Sequence, residues 1–87
     1  MRNIEFTDKG WSDFIEWSKN ERRIFNKISR LIQESSKNPF NATGKPEALK
    51  HNLKGYWSRR ITNEHRLVYS VSDDTIKIVS CKYHYKK

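Results

Sequence analysis

Five residues in the second half of this 87-residue sequence have the right types for acid–base chemistry on a phosphodiester: Glu47, Arg59, Arg60, Arg66 and His84. Cleavage of RNA without a metal needs a base for the ribose 2′-OH, a cation for the phosphate as charge builds, and an acid for the leaving oxygen. Glu47 is the only carboxylate between Glu34 and Glu64, and Lys45, Lys50 and His51 surround it in sequence. Such a cationic setting favours the ionised carboxylate a base requires. His84, in the closing YHYKK, titrates near neutrality and suits the acid. Each residue also has a plainer reading. Glu47 then answers its local lysines, Arg59 and Arg60 guard a sheet edge against aggregation, and His84 is a solvated terminal residue. Tyr56, Trp57 and Tyr69 fit cross-strand packing as well as base stacking.

Composition narrows the partners. The net charge is +8 and is unevenly spread. Residues 1–44 carry eight Lys and Arg against six Asp and Glu, whereas residues 45–87 carry ten against four. A polyanion is the leading partner for such an excess, because neutralising phosphates releases counterions. The single cysteine, Cys81, excludes an intrachain disulfide and a multi-cysteine zinc site, and its neighbours Ile78, Val79 and Tyr83 suit a core residue. His51, His65 and His84 show no helical metal-ligand spacing, so neither metal nor other cofactor is expected. No run is long and apolar enough to span a bilayer, and MRNIEF lacks the apolar stretch of a secretory signal, so a soluble cytoplasmic protein is expected.

The elements that must position these residues follow from periodicity. Residues 2–6 alternate as a short strand, and Thr7 or Asp8 can cap a helix in which Trp11, Phe14 and Ile15 share a face while Asp13 and Glu16 turn elsewhere. Ile24, Phe25, Ile28, Leu31 and Ile32 mark a second helix, ended by Asn38-Pro39 and paired antiparallel with the first through a short connection near Asn20. Residues 41–54 read mostly as a loop. Residues 55–61, 66–71 and 75–85 read as three hairpin-linked strands, the last the longest. The whole is a single α+β domain over residues 1–87, its helices on one face of the sheet and the other face free. Leu67, Tyr69 and Val71 form one row of the middle strand, so Arg66 should point away from the helices. Arg59 and Arg60 go to opposite faces, and at least one can join Arg66.

The stretch GKPEALKHNLKGYWSRRITNEHRLVYSV (44–71), with CKYHY (81–85), resembles the YoeB/Txe toxins of the RelE superfamily, and the resemblance extends over nearly the whole chain. It implies a RelE-like fold related to the microbial ribonucleases. It also implies a ribosome-dependent endoribonuclease that cuts messenger in the ribosomal A site, a YefM-type antitoxin as partner, and a homodimer. Carried over by position, Glu47 is implied as general base, His84 as general acid, Arg66 as the phosphate-stabilising cation and Tyr85 as an aid to substrate placement. Lys50, His51, Arg59 and Arg60 are implied contacts to RNA or ribosome. Lys86 and Lys87 extend past the family's YHY ending without touching this chemistry. A non-catalytic RNA- or ribosome-binding module and a ParE-like gyrase toxin are the alternatives.

Overall fold

The computed structural model describes residues 1–41, 46–50 and 53–83. Of the residues implicated above, Lys45, His51, His84, Tyr85, Lys86 and Lys87 lie outside the described set. The elements run β1 (Asn3–Phe6), α1 (Asp8–Asn20), α2 (Arg22–Lys37), β2 (Glu47–Ala48), β3 (Tyr56–Arg60), β4 (Arg66–Val71) and β5 (Thr75–Ser80). They form one five-stranded sheet in the order β1-β5-β4-β3-β2. The meander of β3, β4 and β5 is antiparallel as the sequence predicts, whereas β1 pairs with β5 in parallel.

Local chemistry accounts for the boundaries. Thr7 caps α1, its hydroxyl accepting from the Gly10 amide at 3.0 Å. Gly10 then lies so close to β5 that a β-carbon there would stand 2.3 Å from the Ile78 carbonyl oxygen. Glu21 alone separates the two helices, and Asn38 caps the end of α2 before Pro39. One side of the sheet carries the core: Ile28, Leu31 and Ile32 of α2 join Leu67, Tyr69, Ile76 and Ile78 in a single buried cluster. Burying this apolar face is what holds the helix pair on the sheet.

Three features depart from the sequence reading. The 41–54 stretch contributes a two-residue strand, β2, at the sheet edge. The last strand stops at Ser80, because the Cys81 amide leaves the ladder for the Asp13 carboxylate at 3.1 Å and the Cys81 carbonyl accepts from Trp17 Nε1 at 2.8 Å. β5 is thus six residues, no longer than β4, and does not run on as a strand through Tyr83. In α1, Asp13 is buried whereas Trp11 is 51% exposed. The inward face runs through Gly10 and Asp13, with Phe14 and Trp17 packed on the core.

Candidate active site

Register decides which side chains share the helix-free face. Leu67 and Tyr69 point into the core, so their neighbours Arg66 and Val68 take the other side. Arg60 is directly opposite Arg66, and Ser58 opposite Val68. Glu47 in turn pairs with Ser58, so Glu47, Arg60 and Arg66 belong to one face. Glu47 is one strand-pair row from the two arginines. Two inter-strand steps and two residues along the strand separate the Cα atoms of Glu47 and Arg66 by roughly 12 Å, a span that two long side chains can close around a phosphate. Lys50, two residues beyond β2, is exposed.

The β3–β4 connection shapes Arg66. Thr62 Oγ1 accepts from the amides of Glu64 and His65, both at 3.1 Å, which folds the turn tightly. Arg66 Nη1 donates to the carbonyls of Thr62 at 2.5 Å and His65 at 3.0 Å, with Asn63 at 3.4 Å. Among the described residues its side-chain hydrogen bonds all come from Nη1. One corner of the guanidinium therefore anchors the group, and a guanidinium so held has further donors, Nε and Nη2, for an oxyanion.

Arg59, expected among the basic positions that meet RNA, is instead fully buried on the core side. Its Nε donates to the Tyr69 hydroxyl at 3.1 Å, and Nη2 donates to the carbonyls of Asn38 and Asn41, the latter at 2.9 Å. Tyr69 donates in turn to the Pro39 carbonyl at 2.6 Å. The guanidinium thus satisfies carbonyls just past the C-terminal end of α2, where positive charge is favoured. Arg60, the next residue, is exposed. The strand alternation behind this division was legible; which arginine turned inward was not.

The chain approaching His84 is held from several sides. Beyond the two bonds to Cys81, the Tyr83 amide donates to His65 Nδ1 at 2.7 Å, and the Arg66 amide donates to the Tyr83 carbonyl at 3.1 Å. Since His65 Nδ1 accepts, its ring proton sits on Nε2, which lies 3.6 Å from a Glu64 carboxylate oxygen. His65 is 8% exposed, with its ring edge-on to Trp17 at 4.8 Å between centroids. Tyr83 has φ 61°, a left-handed backbone that costs a non-glycine residue on the order of 1–2 kcal/mol. Beside it, the Lys82 ammonium stands 2.8 Å from Glu16, and this hydrogen bond raises its pKa above the ordinary lysine value. Cys81 is inert by contrast: burial, followed by the nearby Asp13 charge, pushes its thiol up to about 12. Sequence reasoning missed Asp13, Trp17 and His65. A polar residue on the inner side of a helix looks solvent-facing until its partner, 68 residues away, is seen.

Comparison with known proteins agrees with this architecture. The signature of the YoeB-like toxin of bacterial type II toxin-antitoxin system matches residues 6–85. The toxin YoeB of Escherichia coli K12 is 51% identical over 80 residues, covering 92% of this chain and 95% of the relative. A YoeB/ParE toxin from Agrobacterium tumefaciens superposes with a TM-score of 0.92 at 41% identity, covering 95% of this chain and 99% of that one. Staphylococcus aureus YoeB superposes with a TM-score of 0.88 in two structures, a dimer at 47% identity and a YoeB–YefM complex at 46%. The dimer comparison covers 97% of this chain and 98% of that one, and the complex 98% and 99%. The fold is thus the α+β arrangement of the YoeB/ParE toxins. The chain belongs to the YoeB-like toxins of bacterial type II toxin-antitoxin systems.

Proposed function

We propose that this toxin is a ribosome-dependent endoribonuclease that cuts messenger in the ribosomal A site and so arrests translation. Glu47 takes the proton from the 2′-OH, which attacks the adjacent phosphodiester. Arg66 steadies the added negative charge, and His84 protonates the departing 5′-oxygen, with Tyr85 assisting placement. The products are a 2′,3′-cyclic phosphate or its 3′-phosphate, and a 5′-hydroxyl fragment. Lys50, His51 and Arg60 contact RNA or ribosome. The observation that supports this reading most is the register that puts Glu47 on the same face as Arg60 and Arg66, while the Arg66 amide holds the residue preceding His84.

A YefM-like antitoxin is the partner proposed for this chain, and self-association is proposed with it, since the S. aureus relative is solved both with YefM and as a dimer. Among the described residues no helix is long and apolar enough to cross a membrane. Translating ribosomes place the site of action in the cytoplasm. The experiment is to incubate the protein with translating ribosomes and map messenger ends. Cuts in the A-site codon bearing 5′-hydroxyl termini, absent with Glu47→Gln and with His84→Ala, are expected. Ribosome binding without cutting would make the protein a binding module, and 5′-phosphate termini would overturn the assigned chemistry.

A further inference from the structure

We infer that Asp13, Trp17 and His65 form a clasp that fixes the chain at Cys81 and Tyr83, making them positioning residues for the acid at His84. The inference rests on the cleavage reading above. The clasp takes both backbone groups of Cys81: Asp13 Oδ2 accepts its amide at 3.1 Å, and Trp17 Nε1 donates to its carbonyl at 2.8 Å. It then takes both groups of Tyr83, through His65 Nδ1 at 2.7 Å and the Arg66 amide at 3.1 Å. All four backbone groups of these two residues are thereby paired, and three of the four partners are side chains reaching in from α1 and the β3–β4 connection. They also hold Tyr83 at φ 61°, a conformation that persists only where its surroundings impose it.

Asp13 is 7% exposed and His65 8%, and both grip backbone, Asp13 while its carboxylate also pairs with the Lys9 ammonium at 3.1 Å and His65 with its Nε2 3.6 Å from Glu64. Because the clasp grips main chain, its hold on Cys81 and Tyr83 does not depend on the side chains of those two residues. The Arg66 amide in the clasp and the Arg66 guanidinium on the helix-free face belong to one residue, so the segment leading to the acid is referenced directly to the proposed cation. A misplacement near 1 Å at a reacting group costs on the order of 100-fold in rate.

The test uses the full chain with His65→Leu, which keeps bulk and removes the acceptor, and His65→Asn, whose Oδ1 can stand where Nδ1 does. Two quantities are read: hydrogen exchange of the Tyr83 amide, and single-turnover messenger cleavage on programmed ribosomes across toxin concentrations. His65→Leu is expected to exchange that amide at least about tenfold faster and to cut about 10- to 100-fold more slowly, with half-saturation unchanged. His65→Asn is expected to recover both to within a few-fold. Trp17→Phe keeps the ring beside His65 and deletes the donor to Cys81, so it should slow cutting in the same way if His65→Leu does not fold. Folded His65→Leu with wild-type amide protection, or with wild-type cutting, overturns the clasp as a positioning device. Wild-type protein that cuts nothing overturns the proposed reaction, and the exchange comparison then decides by itself whether the clasp exists.

Discussion

Replacing Arg59 by methionine should unfold the protein more readily without weakening the proposed electrostatic grip on RNA. The guanidinium is fully buried and donates to the Asn38 and Asn41 carbonyls and to the Tyr69 hydroxyl. Methionine refills most of the space left by the stem but offers no donor. A hydrogen bond from a charged group contributes about 1.5–3 kcal/mol, and a buried acceptor left unmet costs about 1–3 kcal/mol. Asn41 is exposed, so its carbonyl can recover a water, which leaves, among the described residues, the equivalent of about two lost bonds. The expected loss is then about 3–5 kcal/mol, a large share of the 5–15 kcal/mol typical of a domain. With an m-value of about 1 kcal/mol per M in urea, the unfolding midpoint falls by roughly 3 M or more. The companion measurement is the salt dependence of RNA binding by folded protein. An arginine on a phosphate of a single strand adds about 0.7 to the slope of log K against log salt. Arg60→Met should remove that increment and Arg59→Met should not. A stable Arg59→Met protein with a slope lowered by about 0.7 would refute the buried assignment.

Arg66→Ala should lower the single-turnover cutting rate by about 10² to 10³, the usual cost of removing a transition-state donor, whereas a change confined to affinity and salt dependence would make Arg66 a positioning contact. Gly10→Ala should destabilise by about 1–3 kcal/mol in a denaturant melt, because the added methyl meets the Ile78 carbonyl at 2.3 Å and backbone must move; an unchanged midpoint would contradict that contact. Cys81 should resist thiol reagents at pH 8 in the native state and react on unfolding. Its folded pKa near 12 exceeds the ordinary 9.0, so its contribution to stability is intact below pH 9 and is lost as pH rises from there toward 12. Cys81→Ala should flatten this part of the stability profile, and an unaltered profile would assign the alkaline loss to other groups.

Much of the arrangement was legible along the chain because it rests on short-range rules. The 3-and-4 spacing from Ile24 to Ile32 gave α2, and Asn38-Pro39 its end. Alternation in 66–71 placed Leu67 and Tyr69 inward and Arg66 outward, as found. The strand β2 was not legible, since two residues carry no period and are ordered only by pairing with Ser58 and Trp57. The end of β5 was misjudged for a related reason. The alternation of 75–80 continues in sequence through Cys81, Tyr83 and Tyr85, but a carboxylate and an indole from α1 take the Cys81 backbone out of the ladder.

The sequence by itself determined the fold class, the chain order of every element except β2 and the residue types available for phosphodiester chemistry, because patterning and propensity act over a few neighbouring residues. Its long ordered run of motifs was specific enough to carry the family. Tertiary structure decided the rest: that Glu47 shares a face with Arg60 and Arg66, that Arg59 serves the core, and that Asp13, Trp17 and His65 hold the chain before His84. These depend on register and on pairs up to 68 residues apart, and a guanidinium or carboxylate carries no local mark of whether its partner is water or a distant backbone.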